Sequence, residues 1–197
     1  GLGDVYKRQV FTVRNKKNIR ELFNIDTNKK VILFGAMNIT DKRKGLKYLI
    51  DALNILSLKF SKNEIEILLF GKSSKELLSL LPFNYTNINF TNSVEKIVDI
   101  YNVADVFVIP SLQDNLPNTI IEAHACGLPV VGFDIAGVSE MIEHKKTGYL
   151  AKFKSEEDLA KGIEFVLISE NYNELSANCR NYALSKYSEE VIGQEYT

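Results

Sequence analysis

The chain contains no tryptophan, two cysteines, two histidines and almost no net charge. Each scarcity excludes something. Cys126 and Cys179 are far apart, form no C-x-x-C pair and share no His/Cys cluster with metal-ligand spacing. That argues against a zinc module or a disulfide scaffold and suits a reducing, cytosolic setting. With 24 Lys and Arg against 25 Asp and Glu, the net charge is −1, so there is no global basic field for nucleic acid. No apolar run reaches the length of a membrane span and no signal-peptide pattern opens the chain. The protein therefore reads as soluble and cytoplasmic, with a loose membrane association left open. The glycines nowhere form G-x-G-x-x-G and there is no Walker motif, which weakens NAD and ATP readings. His124 and His144 have no Cys or Ser partner arranged as a nucleophilic triad. His124 follows Glu122 by two positions, so it points to another side of the helix and reads as a packing or surface residue.

What remains is a 197-residue chain, 45% hydrophobic, enough for one substantial core. Gly1–Gln9 has no pattern connecting it to the rest of the chain and is set aside as extraneous; Val10–Thr197 is read as one domain. Apolar β-branched runs alternate with amphipathic stretches. Strands are expected at Val31–Gly35, Ile65–Gly71, Ile88–Phe90, Val106–Ile109, Pro129–Phe133 and Gly148–Leu150. Helices are expected at Lys44–Phe60, Ser73–Leu81, Val94–Asn102, Pro117–Cys126, Val138–Glu143, Glu156–Ile168 and Tyr172–Lys186, with another from Ser188. Val10–Thr27 is a lead-in. Nearly continuous apolar strands are buried on both faces, so the sheet should be parallel with helices on either side. The expected fold is a doubly wound, Rossmann-like α/β domain of three layers.

The most informative stretch is Pro110-Ser-Leu-Gln-Asp-Asn-Leu-Pro-Asn-Thr-Ile-Ile-Glu122. It joins a strand to a helix through a polar turn, and Asp114 and Glu122 are eight residues apart. A strand end followed by a helix start is where open α/β sheets bind ligands, and the N–H groups and positive dipole of that helix suit phosphate. Pro117 falls in the first turn, where a missing N–H costs little; the N–H groups of Asn118 and Thr119 remain. Ionised carboxylates accept several hydrogen bonds from sugar hydroxyls, so Asp114 could grip a sugar and Glu122 a ribose. The plainer reading is a turn residue and a surface helix residue. Lys42-Arg43-Lys44 sits at a helix start, where cations oppose the dipole; an anion there, or simple solvation, accounts for it. Gly71 lets the backbone approach something closely, or makes a tight turn. Gly137 and Ser139 should face the same crevice, with Glu140 on a ligand hydroxyl or capping its own helix.

At these residues the chain resembles the C-terminal half of a retaining glycosyltransferase of family 4, with the GT-B fold. The carriers are Asp114-x7-Glu122 within Pro110 to Val131, together with Phe34-Gly35, Lys44-Gly45, Phe70-Gly71, Tyr101-x-x-Ala-Asp105 and Thr147-Gly-Tyr-Leu150. The resemblance covers nearly all of Val10–Thr197. It implies that the domain binds a nucleotide-sugar donor, UDP- or GDP-linked, as substrate, with no cofactor and no metal. It implies that Asp114 contacts the transferred sugar and Glu122 the ribose hydroxyls. Asn115, Leu116, Pro117, Asn118 and Thr119 form the segment whose backbone N–H groups meet sugar and diphosphate. Lys44, helped by Arg43, neutralises phosphate, and Gly71 and residues 92–94 lie near the base. The early acid is commonly Glu and is Asp here; Ala36 stands where many relatives carry Arg. A GT-B enzyme has a second, N-terminal half that usually contacts the acceptor, a glycan or lipid-linked sugar. That half is expected to be missing here, leaving a donor-binding fragment inactive or nearly so alone. The alternative is a non-catalytic nucleotide or sugar-phosphate binding module on the same fold.

Overall fold

The computed structural model describes residues 10–73, 75–113 and 118–195, with side chains to residue 186. Six strands form one all-parallel sheet: β1 (Lys30–Asn38), β2 (Ile65–Lys72), β3 (Asn84–Ile88), β4 (Val106–Ile109), β5 (Val130–Phe133) and β6 (Gly148–Ala151). The strand order is β3-β2-β1-β4-β5-β6, every neighbouring pair being parallel. The winding reverses between β1 and β4, where Ile32 pairs with Val106 and Leu33 with Phe107. Such a reversal opens a crevice at the strands' carboxyl ends.

The helices are α1 (Lys16–Leu22), α2 (Leu46–Leu56), α3 (Lys75–Leu78), α4 (Val94–Val103), α5 (Asn118–Ala125), α6 (Glu156–Leu167) and α7 (Tyr172–Glu195). Successive strand residues point to opposite faces. Val31, Leu33, Phe107 and Val130 pack with Val98 and Val103 of α4 and Ile120 and Ala123 of α5. Ile32, Phe34, Val108 and Val131 pack with Leu49 and Leu53 of α2 and Leu159 and Ile163 of α6. This is the expected doubly wound α/β/α sandwich. Among the described residues no helix is long and apolar enough to cross a membrane.

Several local expectations need correcting. The third strand spans Asn84–Ile88 rather than Ile88–Phe90; it is an edge strand, mostly half-exposed or exposed, without a continuous apolar run. Residues 136–141 form turns instead of a helix. There the Ser139 hydroxyl donates to the Ile135 carbonyl at 2.9 Å, a local side-chain bond of the kind that competes with helix. The C-terminal helix runs unbroken through Ser188. The lead-in contains α1, whose Arg20 is buried and donates to Asp105 at 2.6 Å, at the amino end of β4. Lys16 reaches the same carboxylate at 2.8 Å, and the Val31 N–H donates to it at 2.7 Å. Burial pushes the Asp105 carboxyl up, but Lys16, Arg20 and the hydrogen bonds outweigh it and hold it below its ordinary value.

Candidate functional site

The helix expected from Lys44 begins two residues later. Lys42–Lys44 form a separate 3-10 turn, capped by the Asp41 side chain, which accepts from the Arg43 N–H at 2.9 Å. Gly45 follows in the left-handed region, φ 73°, and ends that turn before α2 starts. A Cβ on Gly45 would lie 1.8 Å from the Pro110 carbonyl oxygen. The Leu112 N–H donates to the Arg43 carbonyl at 2.8 Å. The basic turn is therefore docked against the start of the loop that leads into α5. Arg43 itself is exposed and forked onto Asp41, Nη2 to Oδ2 2.7 Å; its hydrogen bonds hold the Asp41 carboxyl down at about 2. The expected cost of cations at this turn is thus partly offset within the turn by Asp41. Lys44 is half-buried on the same turn.

Asp114, Asn115, Leu116 and Pro117 lie outside the described residues. Asn118 and Thr119 open α5, Asn118 exposed and Thr119 half-buried. Thr119 and Glu122, three residues apart, share one helix face. That face borders a cavity of about 190 Å³ at the reversal point, lined otherwise by Leu33, Gly35, Ala36 and Met37 of β1, Phe70 of β2, Phe107 of β4, Phe90 and three α4 residues including Tyr101. The walls are predominantly apolar, and the polar groups collect at the α5 side. Phe70 and Phe90 are stacked, ring centres 5.9 Å apart and planes 13° apart. The Tyr101 hydroxyl donates to Glu122 Oε2 at 3.3 Å. An apolar, aromatic slot ending in a carboxylate at a helix's first turns suits a flat ring joined to a hydroxylated sugar.

Gly71 makes its close approach to the chain's own backbone. Its φ is 132°, and a Cβ there would lie 1.8 Å from the Ala36 carbonyl oxygen. The β1–β2 register shifts between Gly35 and Asn38, an irregularity of the kind found beside functional sites. Ser139 bonds locally to Ile135, and the Glu140 carbonyl accepts from the Tyr182 hydroxyl of α7 at 2.8 Å. Tyr101 and the Phe70–Phe90 pair were not expected at the site. An aromatic preceding a strand-end glycine at Phe70 was the available signal for one, and nothing in the local pattern marked Phe90.

The Glycosyl transferases group 1 profile matches residues 28–169, spanning the whole sheet and both flanks of the cavity. The chain belongs to this family. An uncharacterised Haemophilus influenzae glycosyltransferase is 28% identical over 158 residues, covering 76% of this chain and 45% of that protein. A Campylobacter jejuni N,N′-diacetylbacillosaminyl-diphospho-undecaprenol α-1,3-N-acetylgalactosaminyltransferase is 28% identical over 194 residues, 91% of this chain and 50% of that one. The chain spans about half the length of these curated relatives. The C-terminal domain of a group 1 family glycosyl transferase from Francisella tularensis superposes with TM-score 0.78 at 21% identity, covering 91% of this chain and 97% of that domain. At that identity the likeness establishes the fold, which this group 1 chain shares with GT-B glycosyltransferases.

Proposed function

We propose that this group 1 chain is the C-terminal, donor-binding half of a retaining family 4 glycosyltransferase. The enzyme transfers a hexose-type sugar from a UDP- or GDP-linked donor to a glycan or lipid-linked acceptor, in the cytoplasm or at the inner membrane face. The observation that carries this reading is the position of Glu122 beside Thr119 on a cavity at the sheet's reversal point, with the Lys42–Lys44 turn bonded to the adjoining loop. The base enters the apolar slot, Glu122 takes the ribose hydroxyls, and the diphosphate lies at the amino end of α5. Lys44 neutralises it, Arg43 adds charge while shared with Asp41, and Asp114 contacts the transferred sugar. Positive side chains and the helix dipole stabilise the departing diphosphate, so transfer needs no metal. The Anabaena protein HepE, solved with UDP-glucose, has the same fold at TM-score 0.78 and 20% identity, and the Campylobacter relative acts on a lipid-linked acceptor by its name. The first supports a nucleotide-sugar donor and the second a lipid-linked acceptor. A partner GT-B half supplies the acceptor contacts, and the chain alone binds donor with little or no transfer.

Calorimetric titration with UDP, GDP, ADP and NAD tests this. At least one nucleoside diphosphate should bind and NAD should not. Glu122→Ala should weaken that binding about 10- to 100-fold, the loss expected for charge-assisted hydrogen bonds. Asp114→Ala should leave the plain nucleoside diphosphate nearly unaffected and weaken only the sugar-bearing donor. Equal losses from the two variants would contradict the assigned roles.

A further inference from the structure

The Glu122 carboxylate hangs on a flexible side chain, yet a ribose diol must be met in one orientation. The structure suggests what orients it. Tyr101, on α4, is buried, with 6% of its surface exposed. Its ring stands edge-on to Phe107 at 5.9 Å and tilted against Phe11 at 6.3 Å. A tyrosine has two side-chain torsions, and packing on both sides fixes where its hydroxyl lies. Tyr101 and Glu122 both line the cavity, and the Tyr101 hydroxyl donates to Glu122 Oε2 at 3.3 Å. We infer that Tyr101 is a positioning residue, which sets the Glu122 carboxylate for the two ribose hydroxyls of the nucleotide. The inference rests on the proposed ribose role of Glu122.

The chemistry fits. An ionised carboxylate has about four lone-pair sites, so one hydroxyl donor from Tyr101 is compatible with two more from a ribose. The aromatic side chain comes from a helix other than the one bearing Glu122, so the bond also fixes the carboxylate against the cavity wall. At 3.3 Å it is longer than the usual range of roughly 2.5–3.0 Å for a hydroxyl donor, and the expected effect is accordingly modest.

Tyr101→Phe removes one oxygen and no packing, so the fold should be retained; an unchanged thermal midpoint to within a few degrees checks this. Calorimetry then compares UDP and GDP with their 2′,3′-dideoxy counterparts. Tyr101→Phe should lower affinity for the ribonucleotide three- to tenfold, leave the dideoxy form unchanged, and have no further effect in a Glu122→Ala background. Equal loss for both forms, or no loss for either, would overturn the positioning role. If Glu122→Ala itself weakens ribo and dideoxy forms alike, the ribose reading of Glu122 fails instead, whatever Tyr101→Phe does.

Discussion

At the scale of single residues, the helix that carries Glu122 also carries an unusual neighbour. His124 is fully buried, its ring edge-on to Tyr182 at 5.5 Å, and neither ring nitrogen has a hydrogen-bond partner among the described residues. Burial pushes its pKa down to about 3, against which the Thr147 backbone is a weak counterweight. The residue is neutral in the folded chain at any ordinary pH, and of the packing and surface roles open to it the buried one holds; it takes no part in the cavity. The unfolded chain binds its proton near pH 6.5. Stability is therefore complete above that value and is lost as pH falls from about 6.5 towards 3, at about 1.4 kcal/mol per unit. Urea unfolding at pH 7.5 and pH 5 should show a drop of about 2 kcal/mol attributable to this residue. His124→Met, similar in volume and able to pack a thioether against Tyr182, should remove that part of the drop. The same pH dependence in the variant would mean that the imidazole is not the acid-sensitive group. Cys126, just past the end of α5, is likewise a packing group: burial pushes its thiol up to about 12.

At the scale of elements, the turn between β1 and α2 couples backbone strain to the site. Gly45 has φ 73° and no room for a Cβ beside Pro110. Gly45→Ala should cost about 2 kcal/mol or more, from the left-handed backbone and the collision together. It should also weaken nucleoside diphosphate binding, because the displaced turn carries Lys44 and is bonded to Leu112. Thermal unfolding and calorimetry on the same preparation check both. A lowered melting temperature with unchanged affinity would separate the turn from the site. The same turn marks where sequence reasoning stopped. Strands β1, β2, β4 and β5 were legible because buried parallel strands are built mainly of apolar side chains. The amphipathic faces of α2, α4 and α6 were legible because Leu, Ile and Val recur at helical spacing. The break at Gly45 was not, since a glycine at a helix start is equally at home inside the first turn, and only Pro110, far away along the chain, excludes a side chain there. Likewise β3 has the mixed pattern of an edge strand, and the α1–Asp105 ion pairs join residues with no local signature. Glu122 could be set on the helix after β4 from its spacing, which left a plain surface residue equally open. Tyr101 could not be tied to the site, because its contact with Glu122 is made between two different helices.

At the scale of the whole molecule, the sheet has two chemically different ends. The amino ends of β1 and β4 meet the Arg20–Asp105–Lys16 ion pairs; the carboxyl ends carry the cavity and the Lys42–Lys44 turn. Five residue steps separate Asp105 from Pro110, roughly 16 Å along an extended strand. Groups that far apart, sharing no partner, act independently. Asp105→Asn leaves Arg20, 5% exposed, without its counter-charge and should cost about 3 kcal/mol, lowering Tm by roughly 10 °C. Because the Asp105 carboxyl is held below its ordinary value, its contribution is present at neutral pH and is lost as pH falls below about 3.9; the variant should not show that loss. Nucleoside diphosphate affinity, measured where the variant is folded, should stay within about twofold. Lys44→Ala should do the reverse: affinity falls about tenfold and its salt dependence flattens, while Tm without nucleotide moves little. The double variant should then show both losses in full and no more. A coupling beyond about 0.5 kcal/mol would require that the ion pairs at one end of β4 set the geometry of the loop at the other, making this strand a transmitter rather than a divider.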